Sequence, residues 1–518
     1  MISLLLLVVV GYIHEPWRWK WIEDFRVVNS ISSDTRYVYF AGSKGIRRFD
    51  KLTEQWETPI THNPFPDNIN FIAIDGWTNE LWFTTTTILG KYNPVFEDLE
   101  IFANITSMPC SLGISKDYIY LWNKQQGSTS KCIRFNKLSR ERLPLDSLPS
   151  DAERFNLEWF PKSLPSKYPW LAPYFVMDKY LNQYPMTCAY EDEQYVWIGT
   201  NGDGIYKYNK TTKNMDEHFI FGVPNKKSAI LQDGEYLWMG TPQEIIRWDK
   251  KKWVANYYLQ FGNKPNELNE PNEQISMVSD SVSIWLGGTN GLFRFDKQIE
   301  RWDNIYQKQV SCLAVGGGST SDGEIWVGNH KGLLKCVNNK IVDVLSDIWV
   351  NDVKVNNDEI WVATPGGVLL KRSENPACPA SAVASAGLKT GASEWSKIED
   401  SSKILPHGVY RILVDGKQIY FGTSQALVVH ENREPRTNYQ YFIYPVYLCG
   451  KRILALAGDS SELYVGTDAG VSVWDKKHDI WKQYIANNSP IKGSTYSIVL
   501  DKEYAYLSTD FGIIQLKR

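Results

Sequence analysis

Residues 284–296 read Ile284-Trp285-Leu286-Gly287-Gly288-Thr289-Asn290-Gly291-Leu292-Phe293-Arg294-Phe295-Asp296, and Trp302 follows. An apolar stretch, a short polar turn, a glycine and a second apolar stretch describe two strands joined by a tight hairpin. The same pattern recurs at 195–208, Tyr195-Val196-Trp197-Ile198-Gly199-Thr200-Asn201-Gly202-Asp203-Gly204-Ile205-Tyr206-Lys207-Tyr208, and at 463–475, Leu463 to Asp475, followed by Trp481. Taking the residue that ends the first of these strands as an anchor gives Gly42, Thr84, Trp122, Gly199, Gly240, Gly287, Gly328, Ala363, Gly422, Gly466 and Ser508. Successive anchors are 42, 38, 77, 41, 47, 41, 35, 59, 44 and 42 residues apart. A further apolar stretch precedes each anchor strand, such as Val409-Tyr410-Arg411-Ile412-Leu413-Val414-Asp415, and a Trp-bearing segment closes the unit. Eleven units of about forty residues, each of four short strands, predict an all-β chain of β-propeller blades. In each unit the strand before the anchor strand would line the axis, and the glycine that ends the anchor strand would let neighbouring blades approach closely.

Propellers usually hold four to eight blades, so eleven units predict two rings, one inserted in the other, or one oversized ring. Trp17-Arg18-Trp19-Lys20-Trp21 reads as an orphan outer strand ahead of the first unit, while the last unit stops at Ile513-Ile514-Gln515-Leu516. Pairing the two would close the last blade and hide both edges. The repeats fall at 16–145 (units 1 to 3) and 186–518 (units 4 to 11). Between them, 146–185 is an insertion with Pro161, Pro165, Pro169 and Pro173 at every fourth position, which excludes a central strand. A second insertion, 373–393, is rich in Ala, Ser and Gly and reads as a flexible surface loop.

Lys plus Arg number 56 and Asp plus Glu 59, for a net charge of −3, with no basic block; this argues against a nucleic-acid partner. The chain carries 21 Trp, 29 Tyr and 20 Phe among 518 residues, which suits short strands better than long helices. Seven cysteines without a Cys-x-x-Cys pair or zinc spacing read as buried small side chains. Ile2 to Val10 is the one long apolar run, too short to span a bilayer. Residues 1–15 are therefore a candidate signal peptide, with a buried N-terminal strand as the alternative.

The string Asp322-Gly323-Glu324-Ile325-Trp326-Val327-Gly328, with Asn329-His330-Lys331-Gly332-Leu333-Leu334, resembles the two-component-regulator propeller repeat. Pro66-Asp67-Asn68-Ile69 is similar to the connector that precedes the axial strand in that family. The resemblance runs from residue 16 to 518 and implies an extracytoplasmic, periplasmic or secreted, sensor-type propeller. No membrane-spanning segment or kinase accompanies the repeats, so a sensor of this kind would pass its output through a partner.

The turns after the anchor strands and the links between units emerge on one face of a propeller and would form a polar mouth. They carry Ser43, Lys44, Asn201, Asp203, Gln243, Glu244, Asn290, His330, Lys331, Ser424, Asp468 and Asp510. Aromatic residues of the insertion, Trp159 and Trp170 among them, either stack a ligand at that mouth or pack the insertion down. From these we take Asn201, Asp203, Asn290, His330, Lys331, Asp468, Asp510, Trp159 and Trp170 as candidate ligand-binding residues. Histidines are scattered and no nucleophile motif occurs, so no catalytic residue, metal site or cofactor is assigned. The expected function is a non-catalytic binding propeller for a small solute, such as a saccharide or peptide, or for a partner protein. The alternatives are a structural subunit of a larger extracytoplasmic complex and a lyase- or hydrolase-type enzyme using His330.

Overall fold

Asp280 shows why the repeat begins with an aspartate. One carboxylate oxygen accepts the backbone N–H groups of Val282 (2.9 Å) and Ser283 (2.6 Å), closing the turn into the anchor strand; the other accepts the indole N–H of Trp285 at 2.7 Å. Asp192 does the same for Gln194, Tyr195 and Trp197. The buried indole is thereby satisfied by a residue five positions away. At the other end of the unit, Asp296 accepts from Gln298 (2.9 Å) and Ile299 (3.1 Å), and Glu300 turns the chain back with a φ of 51°. Gly291, with a φ of 125°, is required in the hairpin, because a Cβ there would lie 2.0 Å from the Tyr306 carbonyl oxygen.

The structure is a computed structural model that describes residues 15–22, 24–57, 60, 68–102, 111–123, 131–145, 149–150, 153–156, 164–223, 228–240, 244–259, 275–316, 324–356, 359–372, 395–398, 408–424, 426–431, 439–443 and 445–518. Candidate signal residues 1–14, the insertion 373–393 and Trp159 lie outside these. Among the described residues there are eleven antiparallel sheets, nine of four strands and two of five. In chain order, sheets 1 to 11 span 28–56, 71–102, 111–156, 175–219, 229–259, 276–306, 312–346, 352–397, 409–443, 453–484 and 495–517. Each anchor residue falls on the second repeat strand of one of them. Sheet 11 takes its outer strand from Trp19–Ile22, which pairs antiparallel with Gly512–Lys517. Both sheet faces are apolar, so Ile284, Trp285 and Leu286 are all buried.

The chain divides into two compact units. Unit 1 comprises 1–22, 225–248 and 257–518; unit 2 comprises 23–224 and 249–256. In unit 1 the innermost strands of sheets 5 to 11 contact one another in succession, and that of sheet 11 contacts that of sheet 5. In unit 2, apolar clusters join sheet 4 to sheet 1, sheet 1 to sheet 2 and sheet 2 to sheet 3. The insertion supplies edge strands here. Glu153–Asn156 pairs with Ser111–Ile114, and Phe175–Met177 with Gln183–Glu191. Its Leu164, Leu171 and Val176 cover Val196, Ile198 and Tyr206 of sheet 4.

Two polar devices recur between sheets. On the inner strands, a Ser or Asp oxygen accepts a backbone N–H of the next sheet: Ser276 from Leu313 (3.0 Å), Asp352 from Ile412 (2.9 Å) and Ser497 from Ile230 (3.3 Å). Ser30 and Ser32 do this for Ile72 and Ile74 in unit 2. These bonds satisfy inner-edge N–H groups that have no ladder partner. At the opposite end, the cation that follows the third repeat strand reaches back to the preceding sheet. Lys297 donates to the Asp280 carbonyl (2.7 Å) and pairs with Asp233 at 2.6 Å. Lys476 pairs likewise with Asp415, and Lys137 with Asp75.

Arg518 occupies that lysine's place in sheet 11. It donates to the Asp501 carbonyl (2.7 Å) and pairs with Asp459 and Glu462 of sheet 10. Burial pushes the Asp459 carboxyl up, but hydrogen bonds from Ser461 and Arg518 outweigh it and hold the group below the usual carboxylate range. A depressed carboxyl stabilises the fold above its unfolded pKa and loses that contribution as pH falls. Arg518→Met is therefore expected to cost on the order of 1 kcal/mol at neutral pH, the solvent access of Asp459 screening the pair. In urea melts at a series of pH values the difference from wild type should shrink below about pH 4. A difference that is constant with pH would show that the ion pair does not matter.

Candidate functional site

The inner strands of sheets 5 to 11 line a cavity of about 570 Å³ in unit 1, a volume in the range of small-molecule sites. Its wall is built mainly from one short stretch of each sheet, at the start of its inner strand, with Asp468 added from a turn of sheet 10. Most serine oxygens in that wall are already engaged. Ser276 and Ser497 accept inter-sheet N–H groups, and Ser311 donates to the Val350 carbonyl at 2.6 Å.

Charge enters the wall from three consecutive sheets: Lys354 from sheet 8, Arg411 from sheet 9 and Arg452 from sheet 10. Arg411 is held by uncharged acceptors, its Nε donating to the Leu454 carbonyl (2.6 Å) and Nη1 to that of Tyr410 (2.8 Å). Nη2 has no partner among the described residues. The exposed Arg452 side chain likewise has no ion pair or hydrogen bond among them. Lys354 Nζ forms a loose ion pair with Asp352 Oδ1 at 3.6 Å.

The two carboxylates of the wall are tied to the backbone instead. Asp352 accepts from Val353 (3.0 Å) and Ile412 (2.9 Å), and Asp468 Oδ1 from Lys451 (2.9 Å) and Arg452 (3.3 Å). Asp510 takes up Ser494 N–H (2.8 Å) and the Tyr496 hydroxyl (2.6 Å), both groups of the wall. Burial, then the bond to Asp510, pushes the Tyr496 phenol up. Burial pushes the thiol of the wall residue Cys312 up to about 12.

Of the nine residues singled out from the sequence, Asp468 lines the cavity and Asp510 fixes two of its wall residues. Asn290, His330 and Lys331 are exposed on their turns and lie outside the wall. The His330 ring stands 6.5 Å from Trp349, edge to face, and Trp349 is 56% exposed. Asn201, Asp203 and Trp170 belong to unit 2. Asn201 is exposed. Asp203 is buried, accepts the Tyr206 hydroxyl and lies 3.3 Å from His218 Nε2, whose ring stacks on Tyr206 at 4.0 Å. Trp170 packs on Tyr208 at 5.8 Å.

Lys354, Arg411 and Arg452 were not among the sequence candidates. The signal that could have found Arg411 is an arginine inside a stretch read as an axial strand, where burial leaves an unneeded charge unfavourable. Among the described residues no group of three or more His, Cys, Asp and Glu side chains could hold a metal ion, and no helix is long and apolar enough to cross a membrane.

No family model matches the chain, and no curated protein matches it. Among solved structures the chain is similar to the extracellular domain of the one-component system BT4673 from B. thetaiotaomicron, at 16% identity and a TM-score of 0.42, covering 94% of this chain and 75% of that one. It is similar at 13% identity and a TM-score of 0.42 to PorZ, a surface component of the type-IX secretion system of Porphyromonas gingivalis, covering 95% and 74%. The extracellular domain described for the hybrid two-component system BT4673 follows at 14% identity and a TM-score of 0.34, covering 95% and 75%.

Proposed function

We propose that this chain is a non-catalytic, extracytoplasmic binding propeller that takes a small solute into the axial cavity of unit 1 from the loop face. In this reading sheets 5 to 11 are seven blades of one ring, and sheets 1 to 4 are blades of an inserted second set. The observation that carries it is a cavity walled by all seven inner strands, in which the serines and carboxylates are mostly occupied while donors of Arg411 and Arg452 remain open among the described residues. Open donors in a concave site are what a solute needs for orientation. The apolar run Ile2 to Val10 supports export as a signal-peptide core.

Ser494→Trp tests the seat of binding, since its backbone bond to Asp510 survives while the indole fills the wall. Thermal shift of the full chain against saccharides, short peptides and organic acids should find a stabilising solute. Its shift should vanish in Ser494→Trp. A solute that stabilises both proteins equally would place binding elsewhere.

A further inference from the structure

We infer that the axial cavity selects an anion: a small organic solute bearing carboxylate or phosphate oxygens, held by Lys354, Arg411 and Arg452. The inference rests on the cavity being the binding seat and names the chemistry that seat accepts. Its first support is placement. Lys354 and Arg411 stand on the inner strands of sheets 8 and 9 and Arg452 in the bend just before that of sheet 10, while sheets 5 and 6, across the succession, contribute Ile230, Ile275 and Met277 with serines but no charge. The positive side chains therefore gather on one side of the cavity.

The second support is how the charges are used. Asp352 and Asp468 have their oxygens directed at backbone N–H groups, which binds these carboxylates into the wall. Arg411 is oriented by two carbonyls that fix its plane without neutralising it. A guanidinium locked in this way, with Nη2 open, presents donors in the geometry that oxyanions accept. Arg452 supplies a second guanidinium and Lys354 a compact third charge. Arg411 is half-buried and has no carboxylate partner among the described residues, so an oxyanion would supply the counter-charge that a neutral solute lacks.

The probes are citrate, inorganic phosphate and the neutral polyol mannitol, each titrated calorimetrically into the full chain at low ionic strength. Citrate or phosphate should bind, mannitol should not, and added salt should weaken binding. Preference for citrate would assign a carboxylate ligand, and preference for phosphate a phosphorylated one. Arg452→Gln and Lys354→Gln, whose side chains hold no other element in place, should each weaken the preferred anion by about tenfold or more. Circular dichroism confirms that the variants fold. The inference is overturned if neither anion binds, if mannitol binds as tightly, or if both Gln variants bind like wild type. Anion binding that persists in Ser494→Trp would instead defeat the axial seat itself, so the two failures are distinguishable.

Discussion

A chain lacking residues 1–22 is expected to lose the cooperative unfolding transition of unit 1. Trp19–Ile22 is the outer strand of sheet 11, in register Trp19 with Leu516, Lys20 with Gln515, Trp21 with Ile514 and Ile22 with Ile513. Without it, Gly512–Lys517 becomes an open edge whose N–H and C=O groups have no ladder. The loss extends beyond hydrogen bonds. Trp19 stands edge to face with Tyr484 of sheet 10 at 5.1 Å, Trp19 and Trp21 pack on the core shared by sheets 10 and 11, and Ile22 is buried. Arg18 Nε also donates to the Lys517 carbonyl at 2.9 Å. Removing two half-buried indoles and an isoleucine amounts to roughly 5 kcal/mol, comparable with the whole stability of a typical domain. Scanning calorimetry should show the transition of unit 1 lost or lowered by tens of degrees. A synthetic peptide of residues 15–24 should restore it in part by strand addition. An unchanged melting temperature would mean that the last sheet does not need its distant strand.

Gly287→Ala should destabilise the protein by overpacking the contact between two neighbouring sheets. A Cβ on Gly287 would lie 2.5 Å from Val310 Cγ1 and 3.3 Å from Leu313 Cδ1, both buried side chains of the link and inner strand of sheet 7. The arrangement is general: Gly328 faces Val350, Gly422 faces Ile453 and Gly199 faces Val28, each at under 3 Å from the position of an added Cβ. A branched side chain at the start of one sheet thus sits against the bare backbone ending the second strand of its neighbour. Because Val310 is buried, it has little room to move, and overpacking of about 1–3 kcal/mol follows. The double variant Gly287→Ala with Val310→Ala should recover a large part of that loss, since the second change empties the space that the first fills. Urea melts of the four proteins in the cycle give the coupling directly. Additive losses would show that Val310 is not what Gly287 accommodates.

Most of the repeat was legible because its chemistry is local. Asp280 and Trp285 are five residues apart, Asp296 and Ile299 three apart, and Gly291 stands inside its own hairpin, so one forty-residue window contains the causes of one sheet. The orphan Trp-x-Trp-x-Trp segment at 17–21 was also readable, since a strand without a sheet and a sheet without an outer strand complete each other. The turn residues did not foretell which of them would line the cavity. Asn, Asp and Gly occupy turns for backbone reasons, so Asp203 could not be distinguished from Asp468 by sequence. The first proves to be buried against Tyr206 and His218, and the second lies at the cavity.

By itself the sequence determined the all-β repeat, the positions of its strands and the glycines that let sheets approach, because alternation and turn chemistry act within a few residues. Only the tertiary structure decided which inner strands line one cavity, and with it the meeting of Lys354, Arg411 and Arg452 there. Those residues lie on three different sheets, and their juxtaposition depends on a succession closed by Ser497 on Ile230 and by Trp19–Ile22 on Gly512–Lys517. Contacts between residues hundreds of positions apart follow from packing whole sheets against one another, and no local pattern in the chain encodes them.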